Sequence, residues 1–159
     1  MTDLPFYLIA FAVVLGVLII VHELGHYFAA RWCGVKVLRF SIGFGPVLWQ
    51  KKMGRDATEW AVSAFPLGGY VKMLDEREAP VPEQERHLAF NTQPLSSRAL
   101  IVAAGPVANL VLAVALYTLV NWIGVDEPRA VLSPPAAGTL AAQAGLQGGE
   151  TVRQAALAG

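Results

Sequence analysis

The sequence predicts a mainly α membrane protein in which two spanning helices flank a short β-hairpin region. Three observations carry that prediction. Charged residues make up only 15% of the 159 positions while 55% are hydrophobic, against about 25% charged in an ordinary soluble domain. The hydrophobic excess is concentrated in two blocks without a single charge, residues 4–21 (18 residues) and 99–125 (27 residues). Between the blocks the texture changes to short alternating runs punctuated by glycine and proline, which is the pattern of strands and turns.

Taken in order, residues 1–33 read as a first spanning helix. At about 1.5 Å of rise per residue, the apolar block crosses or nearly crosses a hydrocarbon core of roughly 30 Å. Met1-Thr2-Asp3 lacks the positive flank of a signal peptide, and the block runs into His22 and Glu23 rather than a small-residue cleavage site. The helical pattern continues through Ala30, with Gly34 as its stop. Residues 34–97 hold the β-region and a linker. Val37-Leu38-Arg39-Phe40-Ser41-Ile42 and Val47-Leu48-Trp49 read as strands joined by a turn at Gly43-Phe44-Gly45-Pro46. Thr58 to Ala64 alternates as a half-buried strand, and Pro66-Leu67-Gly68-Gly69 turns into Tyr70-Val71-Lys72-Met73. Residues 75–85, acidic and carrying Pro80 and Pro82, read as an exposed linker. Residues 98–125 form the second span, with Ser96 or Ser97 as cap, and residues 126–159 form an Ala-, Gly- and Pro-rich tail.

Net charge is zero, yet ten of the twelve Lys and Arg residues lie between Arg31 and Arg98. The positive-inside tendency therefore places the middle segment in the cytoplasm and both termini on the far side. The single cysteine, Cys33, excludes an internal disulfide and a cysteine-based zinc site. No basic run with interleaved aromatics points to nucleic acid. The partners this composition implies are the lipid bilayer and whatever reaches the site described next.

His22-Glu23-Leu24-Gly25-His26 is an H-E-x-x-H motif. Residues four apart share one helix face, so both imidazoles can reach one metal ion, and Glu23 stands close enough to act on water activated there. The alternative is a hydrogen-bonded polar patch at a helix end. The membrane context favours the metal: an ionisable residue at the centre of a span costs about 2.5–3.5 kcal/mol on insertion scales, and a bound cation offsets that cost. In the second span, Gly105-Pro106-Val107-Ala108-Asn109 interrupts an apolar helix. Pro106 cannot donate to the carbonyl of Val102, Gly105 permits close helix approach, and Asn109 is either interhelical glue or a site residue. The Gly43-Phe44-Gly45 segment is either a simple tight turn or part of an apolar hairpin offering a strand edge to an extended peptide.

Together these residues resemble the site-2 protease family of intramembrane zinc metalloproteases. The resemblance rests on H-E-L-G-H in the first span, Gly43-Phe44-Gly45-Pro46 after it and Gly105-Pro106-Val107-Ala108-Asn109 in the second. Phe65-Pro66-Leu67-Gly68-Gly69-Tyr70-Val71-Lys72-Met73-Leu74 narrows it to a branch of bacterial inner-membrane proteases acting in envelope-stress signalling. The resemblance implies zinc (Zn2+) held by His22 and His26, Glu23 as general base, and substrate contacts from Gly43, Phe44, Gly45 and Asn109. It implies a transmembrane protein as substrate, of the anti-sigma-factor type. In the tail, Leu140-Ala141-Ala142-Gln143-Ala144-Gly145-Leu146 followed by Gly148-Gly149-Glu150 resembles the interior of an incomplete PDZ domain.

One departure from the pattern is expected to matter. The family's third zinc ligand is the Asp of a Leu-Asp-Gly motif on a later span, and these 159 residues contain none. His87, Asp75 and Glu78 are the substitutes available, without a spacing that favours any of them. The expectation is a truncated chain of an intramembrane metalloendopeptidase. A non-catalytic membrane adaptor, binding partners through its loop and tail, is the competing reading. A soluble zinc peptidase on a membrane anchor is disfavoured, because the motif continues the span rather than lying beyond it.

Overall fold

The computed structural model describes residues 3–54, 56–124, 131–149 and 151. Up to Thr118 the chain forms one compact unit, and from Leu119 onward a second. In the first, helix α1 spans Leu4–Trp32 and strands β1 and β2 span Val37–Met53 and Thr58–Met73; helix α2, Leu95–Ile123, starts there and has its last five residues in the second. Both helices are 29 residues long and apolar enough to cross a membrane.

Helix α1 starts with Pro5 in its first turn, where the missing N–H is one that the helix leaves unpaired anyway. It ends as Gly34 takes φ +77° and the Val35 N–H bonds back to the Ala30 carbonyl at 2.9 Å. Its N-terminal half leaves Phe6, Leu8, Ile9 and Phe11 exposed, as a lipid-facing helix does. Helix α2 begins at Leu95, so Ser96 and Ser97 lie within its first turn rather than capping it.

The β-region differs from the expected series of short strands. Each pair of short runs is one long, bent strand. Gly43 and Gly45 do not turn the chain back: at φ +88° and +85° they bend β1 while it continues to Met53. The reversal comes at 54–57, where Gly54 and Ala57 both have positive φ and the Ala57 N–H bonds to the Gly54 carbonyl at 3.2 Å. Bending lets residues 39–42 of β1 pair on both sides, with Glu59, Trp60, Ala61 and Val62 along one edge and with 69–72 along the other. Among the described residues, 69–73 therefore pair on one side only.

A small core welds the first unit together. Ala29, Ala30, Val35, Val37 and Ile101 are buried against one another, with Tyr27, Val71, Met73 and Phe90 around them. Tyr27 also meets Phe40 and Trp60 edge-on, at centroid separations of 5.8 and 5.2 Å. That aromatic trio fixes the sheet against the helix turn that carries the His/Glu motif.

The segment after β2 is exposed at 77–80 and 82–84, as a linker is expected to be, and it folds back on itself. Leu74 N–H bonds to the Lys36 carbonyl, Lys36 N–H to that of Leu88, and Phe90 N–H to that of Leu74. Short 3-10 helices occupy Glu83–Leu88 and Phe90–Thr92. In the second unit, the four-residue helix α3 (Leu140–Gln143) is capped by the Thr139 hydroxyl, and Val131 bridges Thr151. The PDZ-like reading of the tail falls partly on 125–130, 150 and 152–159, outside the described residues.

A candidate metal centre between the two long helices

Close approach of α1 and α2 creates the site, and glycines on both helices permit it. A Cβ on Gly25 would collide with the Ala104 carbonyl and lie 2.8 Å from Ala108 Cβ. Without side chains at such points two helices can meet backbone to backbone. One turn of α1 then projects His22 and His26 toward α2, both half-buried.

The two imidazoles meet edge to face, with centroids 4.8 Å apart and planes at 82°, and their Nε2 atoms converge to 3.2 Å. Two nitrogens on one tetrahedral zinc, each about 2.0–2.1 Å from it, stand about 3.3 Å apart, so the pair is spaced for a shared ion. Gly105 keeps the ground in front of them open. Its Cβ would run into His26 Nε2 and fall 2.7 Å from His22 Nε2. Behind the rings, α2 holds both Nδ1 atoms. His26 Nδ1 donates to the Ile101 carbonyl at 2.7 Å, and His22 Nδ1 faces the Asn109 side-chain amide at 3.4 Å. Convergent Nε2 atoms, a clear face and anchored Nδ1 atoms fit a metal. Among the described residues, no third His, Cys, Asp or Glu joins them.

Glu23 lines two cavities of about 400 Å3 each. The first also takes His26, residues 69–73, Asp75, Arg77, Glu78 and Phe90. The second takes His22, Phe44, Gly68, Gly69 and Asn109, with Leu15, Leu18 and Ile19 of α1. Gly69 gives the carboxylate its room, since a Cβ there would lie 2.9 Å from Glu23 Cγ and 2.8 Å from the Ser41 carbonyl oxygen. Phe44 stacks on Tyr70, planes 12° apart, and so forms one wall of the second cavity. Gly43 and Gly45 line neither cavity. They bend the strand that delivers Phe44.

The candidate third ligands are placed as follows. Asp75 and Glu78 sit on the rim of the first cavity, where the Arg77 guanidinium bonds both Asp75 carboxylate oxygens and holds that carboxyl below its ordinary pKa. His87 is exposed and lines neither cavity. Sequence reasoning missed Gly25, Gly69 and the Ile101 carbonyl. Gly25 was legible as a small residue within the motif, whereas Gly69 and Ile101 acquire their roles only through packing.

Comparison with known proteins gives the family of the chain. The profile of peptidase family M50 matches residues 10–155. The chain is 52% identical over 151 residues to a protein of Ralstonia nicotianae named as a zinc metalloprotease, covering 91% of this chain and 33% of that protein. It is 51% identical over 148 residues to the regulator of sigma-E protease of Escherichia coli, covering 92% and 32%. A protein of Vibrio cholerae named as a zinc metalloprotease is 48% identical over 153 residues, covering 96% and 34%. The chain thus spans about a third of the length of the curated relatives it matches. With its H-E-x-x-H turn facing a glycine on the second long helix, this chain belongs to peptidase family M50, the site-2 proteases.

Proposed function

We propose that the chain carries the water-activating part of an intramembrane zinc endopeptidase, with His22 and His26 as zinc ligands and Glu23 as general base. The 3.2 Å convergence of the two Nε2 atoms in front of Gly105 is the observation that carries this reading. Zinc, when bound, supplies Lewis acidity, acidifying water and polarising a carbonyl. The protein's own part is orientation and proton transfer. Glu23, one residue beyond His22 and open to both cavities, takes the proton from the attacking water and returns it to the leaving amine. The third ligand is assigned to sequence of the kind the relatives carry beyond the matched third.

A peptide bond inside a membrane is exposed only when its helix is unwound, and the freed backbone groups then need partners. The one-sided edge at 69–73, beside Glu23 and His26, suits an extended segment added as a strand. Phe44 and Asn109 line the adjoining cavity and serve side-chain contact there. The substrate class proposed is a transmembrane protein of the anti-sigma-factor type, in keeping with the name of the Escherichia coli relative. The likeness to the Escherichia coli relative favours the bacterial inner membrane, and charge asymmetry favours residues 34–97 on its cytoplasmic side. The capped α3 turn and the Val131–Thr151 bridge are in keeping with the start of a PDZ-like domain.

The test is Glu23→Gln in the full-length protein, with a transmembrane reporter substrate. Cleavage should fall by at least about a hundredfold, the usual weight of general-base catalysis, with expression and zinc content retained. Undiminished cleavage would reject Glu23 as the base.

A further inference from the structure

The outer edge of the sheet carries charge that the metal centre does not use. Because β1 bends, residues 47–53 return as an edge strand. They pair with 58–63 on one side and, among the described residues, with nothing on the other. Val47, Leu48 and Trp49 on that edge are exposed apolar residues, and Gln50, Lys51 and Lys52 after them are exposed as well. Among the described residues no ion pair engages either lysine. Glu59 stands opposite Lys52 in the ladder but is taken by Arg39, and Asp56 is taken by Arg31.

The ladder relates the depth of this edge to α1, since paired residues lie side by side across the strands. One row runs through Gly69, Ile42, Val62 and Trp49, and a Cβ on Gly69 would lie 2.9 Å from Glu23 Cγ and 3.4 Å from Ile19 Cγ2. The row of Phe40, Trp60 and Lys51 meets Tyr27 edge-on, one turn further along the helix. The chain reversal after β1 reaches α1 at Arg31, through its ion pair with Asp56. From Glu23 to Arg31 the helix climbs about 12 Å. The edge strand keeps pace, covering about 10 Å from Trp49 to Lys52. Trp32, 85% exposed, marks the end of the span, because tryptophan gathers at the membrane–water boundary. Lys51 and Lys52 therefore stand beside the last turn of α1, at the level of lipid headgroups, with Leu48 and Trp49 on the hydrocarbon side of them.

We propose that Lys51 and Lys52 form a headgroup site for anionic phospholipid that holds the edge strand at the membrane surface. Charge complementarity selects the partner: two cations without a protein counter-ion meet a layer in which anionic lipids supply the negative charge. The competing task of lysine on an open strand edge is to deter pairing with another chain. The inference goes beyond the zinc reading and does not depend on it.

The test places the full-length protein in nanodiscs of phosphatidylcholine, alone or with about a third phosphatidylglycerol, and reads amide exchange at 47–54. With the anionic lipid present, the wild type should exchange several-fold more slowly there. Salt at about 1 M, where screening acts beyond about 3 Å, should abolish the difference. The phosphatidylglycerol fraction giving half the effect should rise about fivefold for Lys51→Gln or Lys52→Gln alone, the weight of one basic residue at an anionic surface. The double Gln variant should lose the response and the double Arg variant keep it, with exchange along α1 unchanged in both. A wild type indifferent to the anionic lipid would overturn the proposal, as would a double Gln variant that responds like the wild type. A response that survives salt would assign the effect to apolar contact and overturn it too. Should the Gln variants fail to fold, the salt dependence of the wild type and the double Arg variant still decide. A double Gln variant that self-associates, beside a wild type blind to the lipid, would give the lysines the edge-guarding task instead.

Discussion

At the scale of single residues, the site depends as much on absent side chains as on present ones. Gly105 is buried, and its missing Cβ is the space in which the two imidazoles converge. Gly16 lies on α1 with nothing within 4 Å of a built Cβ. In an exposed helix interior, Gly→Ala adds about 0.5–1 kcal/mol of helix stability, so propensity alone predicts that both positions accept alanine. Packing separates them. Gly16→Ala should leave zinc affinity unchanged, whereas Gly105→Ala should lower it by at least about tenfold, because the imidazoles are pushed off their ligating geometry. Chelator competition measures both, and circular dichroism checks that helix content survives. Equal zinc affinity in the two variants would show that Gly105 serves helix packing only.

At the scale of elements, the β-region shows what glycine means once the chain is folded. Gly34 and Gly43 both adopt positive φ, +77° and +88°, a backbone that costs an L-residue roughly 1–2 kcal/mol. A Cβ on Gly34 would meet open space, while on Gly43 it would lie 2.8 Å from the Phe65 carbonyl oxygen. Gly43→Ala should therefore lower the thermal midpoint more than Gly34→Ala, the second paying for backbone alone. The overpacking adds about 1–3 kcal/mol, which a thermal melt in detergent resolves; equal shifts would place Gly43 in a looser bend than described. This distinction was not legible in the sequence. A Gly-x-Gly run signals positive φ, and that signal serves a bend within a strand as well as a reversal of the chain. The reversal was hidden at Gly54 and Ala57, amid Lys51, Lys52 and Asp56, where no hydrophobic alternation marks it. By contrast, the H-E-x-x-H face and both long helices were legible, because i, i+4 spacing and apolar length are local properties of the chain. What stayed hidden were the partners on α2. Nothing in Gly105-Pro106-Val107-Ala108-Asn109 states that Gly105 faces both rings and Asn109 the ring of His22 until α1 is laid against it at Gly25.

At the scale of the whole described unit, residues 74–93 close the chain between β2 and α2 through backbone bonds to which a carboxylate is added. The linker there is exposed as expected at 77–80 and 82–84, and it also works as a clasp. Its strap is the run of backbone bonds through Lys36, Leu74, Leu88 and Phe90, and its pin is Glu76, which accepts from the Asn91 amide at 3.0 Å and from Arg86 on the other carboxylate oxygen. Those two donors hold the Glu76 carboxyl below its usual pKa, the Asn91 hydrogen bond first and Arg86 second, and the Arg77 hydrogen bond does the same for Asp75. A carboxyl depressed in the folded chain stabilises fully above its unfolded pKa, about 4 for these groups, and that contribution is lost as pH falls through the lower folded value. The clasp should thus stay shut from neutral pH down to about 5 and loosen only below the ordinary carboxylate range. Amide exchange expressed as protection factors, which divide out the intrinsic pH dependence, tests this at Lys36, Leu74 and Phe90. Protection there should drop at acid pH while the amides of α1 hold theirs. Glu76→Gln removes the charge at any pH, so it should reproduce the loosening at neutral pH and expose the bond after Arg86 to trypsin several-fold faster. Protection unchanged in both cases would mean that the backbone strap and the packing of Phe90 hold the clasp without the carboxylates. The rim of the first cavity, built from Asp75, Arg77, Glu78 and Phe90, would then be insensitive to acid.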